Sequence, residues 1–275
     1  MACDRSLTVV TANVNGVRAA ARRGGLAWLA DSDVDVIALQ EVRASDEQLT
    51  AALTDAGLGH LHVSHAPASA AGRSGVAVLS KDPSSGVVVG VGHDQFADSG
   101  RWIEVTTQTE FGPVTVVSVY VHTGQADTPR QDEKHSFLDA MAARMGDLLA
   151  HASATGNHVV VCGDLNVART EADIKNWRGN LGKAGFLESE RAYLDQWDTD
   201  GWCDLARSYA GEVPGPYTWW SWRGKAFDTD AGWRIDYVWA TPELAASLRS
   251  AEVGRAPSYA ERWSDHAPLT VTFST

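Results

Sequence analysis

Residues 159–166 read Val-Val-Val-Cys-Gly-Asp-Leu-Asn, an apolar run that ends in a glycine and is followed by Asp164 and Asn166. A short apolar run bounded by a glycine is typical of a buried β-strand. Because side chains two residues apart point to the same side of a strand, Asp164 and Asn166 are expected to lie together at its end. The stretch therefore predicts a buried strand that presents a carboxylate and an amide at the edge of a sheet.

Four other apolar segments carry polar residues at one end. Carboxylates, amides and imidazoles at strand ends can hold a divalent cation. The pattern therefore predicts one metal-assisted active site, built from five strands at one sheet edge. The polar residues of these four segments are Asn13 and Asn15, Gln40 and Glu41, Tyr120 and His122, and Asp265 and His266.

The apolar pattern along the chain predicts a mixture of strands and helices, which favours sheet-rich α/β layers over a doubly wound parallel sheet. No repeat or Pro/Ser-rich linker divides the sequence, so residues 1–275 are expected to form a single domain. The predicted strands are 7–14, 35–40, 60–65, 76–80, 87–91, 102–109, 114–121, 158–163, 234–240 and 269–274. The predicted helices are 17–31, 45–57, 130–151 and 242–249, with shorter helical segments around 171–184 and 189–199.

The composition, with 44% hydrophobic and 21% charged residues, is ordinary for a soluble globular protein. The net charge of −12 counts against a simple polyanion-binding domain, although local basic patches and a bound cation can still attract phosphate. No apolar stretch is long enough to span a membrane, and residues 1–5 lack the pattern of a signal peptide. Cys3, Cys162 and Cys203 have no metal-ligand spacing and are interpreted as structural, so a cytoplasmic protein is expected.

Each of the polar strand ends also has a structural interpretation. Asp164 and Asn166 could hold a water and a phosphoryl oxygen side by side, or could form an Asx-turn that closes the strand. Glu41 could bind a hard cation, or could be the first-turn acid of the next helix. Asp265 and His266 offer a carboxylate beside an imidazole, or a surface turn before the last strand.

Asp236 lies inside an otherwise apolar strand, where an unpaired carboxylate would be costly. Pairing with His266 would satisfy Asp236 and fix the tautomer of the ring, whereas a salt bridge to an arginine is the alternative. Tyr120 could donate its hydroxyl to a phosphate or belong to the core.

Aromatic and basic residues alternate in residues 217–225 and again at Trp233 and Arg234. Tryptophan is usually buried, yet rings interleaved with Arg223, Lys225 and Arg234 are also what a nucleic-acid groove would use. Residues 175–183 have a similar composition. Further candidate phosphate contacts, each of which could equally be solvated surface, are Arg18, Arg43, Arg73 and Arg101.

Taken together, these motifs resemble the exonuclease III family of apurinic/apyrimidinic endonucleases, within the wider endonuclease/exonuclease/phosphatase fold. The motifs occur in the family's order over nearly the whole chain. Asp-Leu-Asn and Ser-Asp-His belong to the broad superfamily, whereas the remaining motifs are more specific to DNA repair members. The matching segments are Asn13-Val14-Asn15-Gly16-Val17-Arg18, Leu39-Gln40-Glu41, Tyr120, Gly163-Asp164-Leu165-Asn166, Asp173-Ile174-Lys175-Asn176, Tyr217-Thr218-Trp219-Trp220, Gly232-Trp233-Arg234-Ile235-Asp236-Tyr237 and Ser264-Asp265-His266.

The resemblance implies a four-layered α/β sandwich of the DNase I-like type, with two mixed β-sheets packed face to face, helices outside and the site at one end. It also implies a Mg²⁺ ion, for which Mn²⁺ can substitute, with Glu41 as the principal ligand. Residues expected around this ion are Asn13, Glu41, Asp164, Asn166, Asp265 and His266.

By the same resemblance, Asp164 is expected to orient or deprotonate the attacking water, Asn166 to hold the scissile phosphate and Tyr120 to hydrogen-bond it. His266, supported by Asp236, would polarise the phosphate or carry a proton. Trp219 and Trp233 would line the pocket for the baseless sugar. Other expected substrate contacts are Asn15, Arg101, Thr123, Lys175, Asn176 and Arg223.

Beyond Val121 the family often has a proline and then an amide that touches the phosphate, but this chain has His122 and Thr123. This departure leaves the balance between endonuclease and exonuclease activity open.

The activity that the resemblance implies is Mg²⁺-dependent cleavage of duplex DNA 5′ to an abasic site. The same attack on phosphorus would support 3′→5′ exonuclease and 3′-phosphatase activity at a DNA 3′ end, and a monomer is expected. Two alternatives are an enzyme of the same fold that acts on RNA, phosphoinositides or phospholipids, and a nucleic-acid-binding regulator that has lost catalysis. The basic, Trp-rich segments disfavour lipid headgroups, and the presence of all the expected ligands disfavours the regulator.

Overall fold

A computed structural model describes residues 6–70 and 72–275, and the predictions made for Cys3 and residues 1–5 lie outside this part of the chain. The described residues form twelve strands and seven α-helices, joined by short 3₁₀ segments. The strands are β1 (Ser6–Asn13), β2 (Val36–Gln40), β3 (His62–Ala66), β4 (Val76–Ser80), β5 (Ser84–Val89), β6 (Trp102–Thr109), β7 (Gly112–Tyr120), β8 (His158–Asp164), β9 (Cys203–Asp204), β10 (Asp236–Ala240), β11 (Leu248–Val253) and β12 (Leu269–Ser274). The helices are α1 (Val17–Arg22), α2 (Gly25–Ala30), α3 (Asp46–Asp55), α4 (Pro129–Thr155), α5 (Glu188–Asp200), α6 (Leu205–Ala210) and α7 (Pro242–Ala245).

The strands form two six-stranded sheets, ordered β11-β12-β1-β2-β4-β3 and β5-β6-β7-β8-β10-β9. Each sheet is mixed, because β1–β2 and β7–β8 pair in parallel while the remaining neighbours pair antiparallel. Apolar side chains from both sheets share one buried cluster, including Val9 and Val271 from the first sheet and Val116 and Val238 from the second. The two sheets therefore pack face to face.

Helices cover the two outer faces. Leu29 of α2 and Leu49 of α3 pack with the first sheet, and Phe137 and Met141 of α4 pack with the second, together with Leu194 of α5. Strands buried on both faces explain the nearly continuous apolar runs of the sequence. The predicted four-layered sandwich with helices outside is confirmed.

Strand register gathers the polar strand ends at one end of the sandwich. In the first sheet, Asn13 at the end of β1 lies opposite Gln40 at the end of β2. In the second sheet, Asp164 at the end of β8 lies between Tyr120 of β7 and Asp236 of β10. The carboxyl ends of the parallel strands thus converge on one edge.

All ten predicted strands are present, with boundaries that differ by a few residues. The prediction of a helix over 242–249 is wrong beyond Ala245, because Leu248–Val253 pairs with β12 as an edge strand. The prediction of one helix over 17–31 is also wrong, since Gly24, with φ +86°, separates two helices.

The segment 171–184 contains only two short 3₁₀ segments, Glu171–Asp173 and Trp177–Asn180, in place of the predicted helical piece. Strands β9 and β11 and helix α6 were not predicted. The two strands are defined by pairing with distant segments, such as Ala251 with Val271, rather than by a local pattern.

Candidate active site

Three potential metal ligands meet at the polar end of the sandwich. One ligand atom from each of Glu41, Asp164 and His266 lies within 4.8 Å of the others, and all three residues are buried. Glu41 follows β2 in the first sheet and Asp164 ends β8 in the second, so the cluster bridges the two sheets. The sequence-predicted convergence of these strand ends is therefore present in the fold.

Asn13 links the two carboxylates. Its Nδ2 donates to Oε1 of Glu41 (2.8 Å) and to Oδ2 of Asp164 (2.9 Å). Its Oδ1 accepts from the backbone N–H of Asn15 (3.0 Å), and its carbonyl oxygen accepts from the Ser264 hydroxyl (2.7 Å). Asn13 thus faces the carboxylates with its amide nitrogen in this structure, and its role as a metal ligand stays a prediction.

Asp265 lines the same pocket as this cluster. Its Oδ1 accepts from Nδ2 of Asn15 (2.7 Å) and its Oδ2 accepts from the Trp219 indole N–H (3.1 Å). Burial alone would raise the pKa of Asp265, but His266 and these two donors outweigh burial and lower it. Asp265 is therefore held as an ionised carboxylate.

Asp164 and Asn166 form an Asx-turn and also lie at the site, so the structural and the functional interpretations of their motif are compatible. The backbone N–H of Asn166 donates to Oδ1 of Asp164 (2.8 Å), which is the hydrogen bond of an Asx-turn. The same turn keeps Nδ2 of Asn166 3.0 Å from Oδ2 of Asp164, while Thr123 donates its hydroxyl to Oδ1 of Asn166 (3.2 Å). The turn thus fixes both side chains at the site.

Gly163 makes this placement possible. Its φ is +143°, and a Cβ at this position would lie 2.0 Å from the carbonyl oxygen of Val119 on β7. Only glycine allows β8 to approach β7 this closely directly before Asp164.

His266 lies between two carboxylates. Its Nδ1 is 2.9 Å from Oδ2 of Asp236, and its Nε2 is 3.8 Å from Oδ2 of Asp164. Burial alone would lower the pKa of His266, but the charges of Asp236 and Asp164 outweigh burial and raise it. The structure brings Asp236 to the ring rather than to an arginine.

Burial raises the pKa of Asp164 above the ordinary carboxyl range. The nearby His266 opposes this effect, whereas the carboxylates of Asp236 and Glu41 add to it. A cation placed among these groups would favour the ionised form of Asp164, because it offsets the repulsion between the carboxylates. Hard oxygen donors in close proximity are also the donor type that divalent cations such as Mg²⁺ prefer. The residues present therefore fit a divalent cation.

Tyr120 is half-buried at the end of β7, with the Arg101 guanidinium 5.1 Å from its ring centroid. Burial, Glu41 and Asp164 raise the pKa of the Tyr120 hydroxyl, so it remains a proton donor at neutral pH. Next to it, His122 is only 4% exposed, and neither ring nitrogen has a hydrogen-bond partner among the described residues. The prediction that Tyr120 and His122 share one polar strand end holds, but His122 is buried rather than presented to solvent.

An aromatic pocket of about 270 Å³ adjoins the carboxylates. The half-exposed rings of Trp219 and Trp233 meet edge to face, with centroids 6.2 Å apart. The other residues that line this pocket are Glu41, Thr123, Asp164, Asn166, Ala184, Gly185, Ile235, Asp265 and His266.

The remaining predicted DNA contacts have different surroundings. Lys175, Asn176 and Arg223 are exposed and do not line this pocket. Arg18 and Arg73 are exposed as well.

Two of the basic residues named in the sequence analysis form ion pairs, and for Arg43 a phosphate contact stays a prediction. Arg43 forms an ion pair with Glu41. The interpretation of Arg234 as part of a nucleic-acid groove is wrong, because Arg234 is fully buried and bonded to Asp173 (2.6 Å) and Asp204 (2.8 Å). A fully buried guanidinium enclosed by two carboxylates is out of reach of a phosphate at the surface.

Strained backbone is concentrated at this site. Asn15, Glu41, Arg43 and Asn166 have φ values of +46°, +52°, +51° and +50°. A glutamate or arginine in the left-handed region is uncommon, and such strain persists only where surrounding contacts impose it. Hydrogen bonds from the Gly16 and Val17 amides to the carbonyls of residues 41 and 42 impose it here.

For several residues that organise the site, the role was missed from the sequence, although Gln40 was noted at its strand end. Gln40 is fully buried; it accepts a hydrogen bond from Thr11 (3.2 Å) and donates one to Ser118 (2.9 Å) of the opposite sheet. The position of Gln40 in the Leu-Gln-Glu motif was the available signal for it. Lys134 and Glu190 lie behind Asn166, and no local pattern distinguishes them from ordinary charged helix residues.

The fold and the site together define a class of α/β sandwich with a carboxylate-rich site, fit for a divalent cation, at one end of its two sheets. A model of the endonuclease/exonuclease/phosphatase family matches residues 10–266. The chain belongs to this family.

Relatives and solved structures support this assignment over nearly the full length. An exodeoxyribonuclease from Bacillus subtilis is 33% identical, with 96% of this chain and 98% of the relative covered. The DNA repair nuclease APEX1 of Danio rerio is 30% identical, with 97% and 82% covered. The structure of a 3′ phosphatase, NExo, from Neisseria, bound to a product DNA hairpin, superposes with a TM-score of 0.84 at 28% identity, covering 97% of this chain and 99% of that one. An AP endonuclease from Archaeoglobus fulgidus gives a TM-score of 0.81 at 25% identity, with 97% and 99% covered.

Proposed function

We propose that this protein is a Mg²⁺-dependent DNA repair phosphodiesterase that cuts duplex DNA on the 5′ side of an abasic site. The same site would carry 3′→5′ exonuclease and 3′-phosphatase activity. The observation that carries the proposal is the meeting of Glu41, Asp164 and His266 within 4.8 Å, beside a pocket walled by Trp219 and Trp233. Relatives named as exodeoxyribonucleases and DNA repair nucleases support DNA as the substrate.

Glu41 and Asp265 would hold the metal ion, with Asp164, Asn166 and His266 around it. Carboxylate and amide oxygens are hard ligands suited to Mg²⁺, and Mn²⁺ accepts the same ligands. When bound, the ion supplies Lewis-acid stabilisation of negative charge on a phosphoryl oxygen.

The residues of the chain itself would bind the phosphate and move protons. Asp164 would orient a water molecule through a carboxylate oxygen, and the amide of Asn166, which donates to Asp164, would hold the phosphate. Tyr120 would donate its hydroxyl to a phosphate oxygen, since its raised pKa keeps the proton in place. His266, oriented through Nδ1 by Asp236, would present Nε2–H to the reacting group.

Selectivity for damage would come from the aromatic pocket. An abasic nucleotide has little stacking to lose when it leaves the duplex, so its extrusion costs less than that of an intact nucleotide. The pocket of about 270 Å³, with Trp219 and Trp233 as apolar walls, would suit a baseless sugar. Lys175, Asn176 and Arg223, all exposed, would contact the DNA backbone outside the pocket, with Asn15, Arg101 and Thr123 nearer the reacting phosphate.

The decisive experiment uses a duplex oligonucleotide with one synthetic abasic site, incubated with Mg²⁺ or with EDTA. Cleavage that leaves a 3′-hydroxyl with Mg²⁺ only is expected, together with slow shortening from 3′ ends and release of a 3′-phosphate. An intact duplex should be cut poorly in its interior. Inositol phosphates and RNA serve as alternative substrates, and faster turnover of either would replace the proposal.

Three further properties are part of the proposal. Residues 1–275 would act as one domain, the protein would act as a monomer, and it would work in the cytoplasm. No helix among the described residues is both long and apolar enough to cross a membrane.

A further inference from the structure

Behind Asn166, two opposite charges are enclosed in the protein. The side chains of Lys134 on α4 and Glu190 on α5 are both fully buried, with Nζ 2.6 Å from Oε1. Removing two charges from water is costly, and an apolar pair of similar size often stabilises a fold at least as well. Stability alone therefore does not account for this pair.

The contacts of the pair point to the site. Lys134 Nζ donates a second hydrogen bond to the carbonyl oxygen of Asn166 (2.9 Å). The other oxygen of Glu190, Oε2, accepts from the backbone N–H of Gly185 (2.6 Å) and of Leu187 (3.1 Å). The ion pair thus joins the loop that carries Asn166 to the loop that carries Gly185.

These two loops form one wall of the pocket. Gly185 lies close to Trp233 and to the backbone of Asn166. A Cβ at this position would be 3.1 Å from Cζ3 of Trp233 and 3.2 Å from the carbonyl oxygen of Asn166. Gly185 also accepts a hydrogen bond from the Ala168 amide (2.8 Å), which ties the two loops together again. A shift of Lys134 or Glu190 would therefore move Asn166 and the pocket wall together.

We propose that the buried Lys134–Glu190 pair is a positioning device that sets Asn166 and the Gly185 wall at the distance the scissile phosphate and the baseless sugar require. The two residues touch no substrate and act through the backbone of Asn166 and Gly185. This inference rests on the proposed function, because it concerns the same site.

Lys134→Met is the informative variant, since it keeps the length of the side chain and removes the ammonium. Arg144→Met is the matched control: Arg144 lies on the same helix and forms two hydrogen bonds of 2.7 Å to Glu104, away from the site. Each variant removes the basic partner of one ion pair, and that partner lies on α4 in both cases. If Lys134→Met does not fold, the double variant Lys134→Met/Glu190→Gln, which removes both charges, takes its place.

At a temperature where all proteins are folded, we expect kcat on abasic duplex to fall by about 100-fold in Lys134→Met, as for a displacement of roughly 1 Å at a catalytic group. The Mg²⁺ concentration for half-maximal activity should change far less than kcat, because Glu41 and Asp265, the residues proposed to hold the ion, make no contact with the pair. Arg144→Met should keep wild-type kcat. Equal kcat in Lys134→Met and Arg144→Met would overturn the proposal.

Hydrogen exchange gives a readout that does not depend on activity. Amides of residues 165–168 and 184–187 should exchange faster in Lys134→Met than in Arg144→Met, and unchanged exchange in both segments would also overturn the proposal. If wild-type protein cuts none of the DNA substrates, the proposed function fails while the exchange result still decides the positioning role.

Discussion

Asp236 on β10 holds the imidazole of His266, with Oδ2 2.9 Å from Nδ1, although the two residues are thirty positions apart in the sequence. The contact leaves Nε2 directed to Asp164, 3.8 Å away. A carboxylate that bonds one ring nitrogen of a histidine fixes the tautomer and the orientation of the ring. Asp236 therefore determines the protonation and direction of Nε2 of His266, the nitrogen that faces the site.

Replacing Asp236 with asparagine should therefore lower kcat by about 10²–10⁴-fold, the range for loss of a positioned acid or base. Binding of abasic duplex, measured by fluorescence anisotropy, should change little because Asp236 is buried behind His266. The double variant Asp236→Asn/His266→Gln should be no worse than His266→Gln alone, since the two residues act as a unit. Wild-type kcat in Asp236→Asn would leave Asp236 with a structural role only.

Glu41 should control the metal requirement. Glu41→Ala is expected to lower activity steeply and to raise the Mg²⁺ concentration needed for half-maximal cleavage, because it removes the carboxylate nearest to Asn13 and Arg43 in the cluster. A Mg²⁺ titration of cleavage rate measures both effects. Glu252→Ala, at an exposed position of β11, controls for the loss of one negative charge. An unchanged Mg²⁺ titration in Glu41→Ala would contradict the assignment.

Metal removal should be reversible. EDTA is expected to abolish cleavage, and added Mg²⁺ or Mn²⁺ to restore it, since the ligands come from strand ends that the fold already holds together. Circular dichroism should detect little change on EDTA treatment. Full activity in EDTA would exclude a divalent cation from the reaction.

The sequence predicted the central part of the fold because the strands that carry the site are long, apolar and bounded by glycine or polar residues. The same strands placed Asp164 and Glu41 correctly at one edge. Local patterns could not predict β11, since Leu248–Val253 is a strand only through its pairing with β12. They also could not separate α1 from α2, where the break depends on the left-handed backbone of Gly24.

Within the site, the sequence predicted which types of residue lie together. It did not predict which basic residues are free of carboxylate partners and so able to bind a phosphate. Arg234 has the same local context as a DNA-binding arginine, yet Asp173 and Asp204 enclose it. Asp173 is sixty-one positions away, and such distant pairing leaves no local signal. Lys134 is unrecognisable for the same reason, because its partner Glu190 lies on another helix.

Trp233 should determine how well the protein prefers abasic sites. Trp233→Ala removes the ring that packs edge to face against Trp219 in the pocket lining, so the baseless sugar would be held less firmly. We expect kcat/KM on abasic duplex to fall about tenfold, on the scale of 1–3 kcal/mol per aromatic contact, with less effect on removal of a paired 3′ nucleotide. Tyr209→Ala, at an exposed aromatic residue of α6, is the control. Equal losses in the two reactions would show that Trp233 supports the site without selecting the substrate.

His122 should make the protein sensitive to acid. Burial, followed by the positive charges of Arg101 and Lys134, lowers the pKa of His122 from 6.5 to about 4. Oε2 of Glu133 lies 4.0 Å from Nε2 of His122. Glu133 is therefore the carboxylate that would pair with the ring once the ring is protonated. In the folded protein His122 is therefore neutral at pH 5.

The sign of the effect follows from proton uptake. Between pH 6.5 and about 4 the unfolded chain binds a proton at His122 that the folded protein does not, so the free energy of unfolding falls as the pH falls through this window. The loss between pH 7.5 and pH 4.5 should be about 1–2 kcal/mol, on the scale of 1.4 kcal/mol for each unit of pKa difference. Tm measured from pH 7.5 to pH 4.5 should therefore fall less in His122→Asn than in the wild type. His60→Asn, at an exposed histidine, should follow the wild-type curve. Parallel curves for His122→Asn and wild type would mean that His122 takes up its proton equally in the folded and unfolded chains, and that acid sensitivity arises elsewhere.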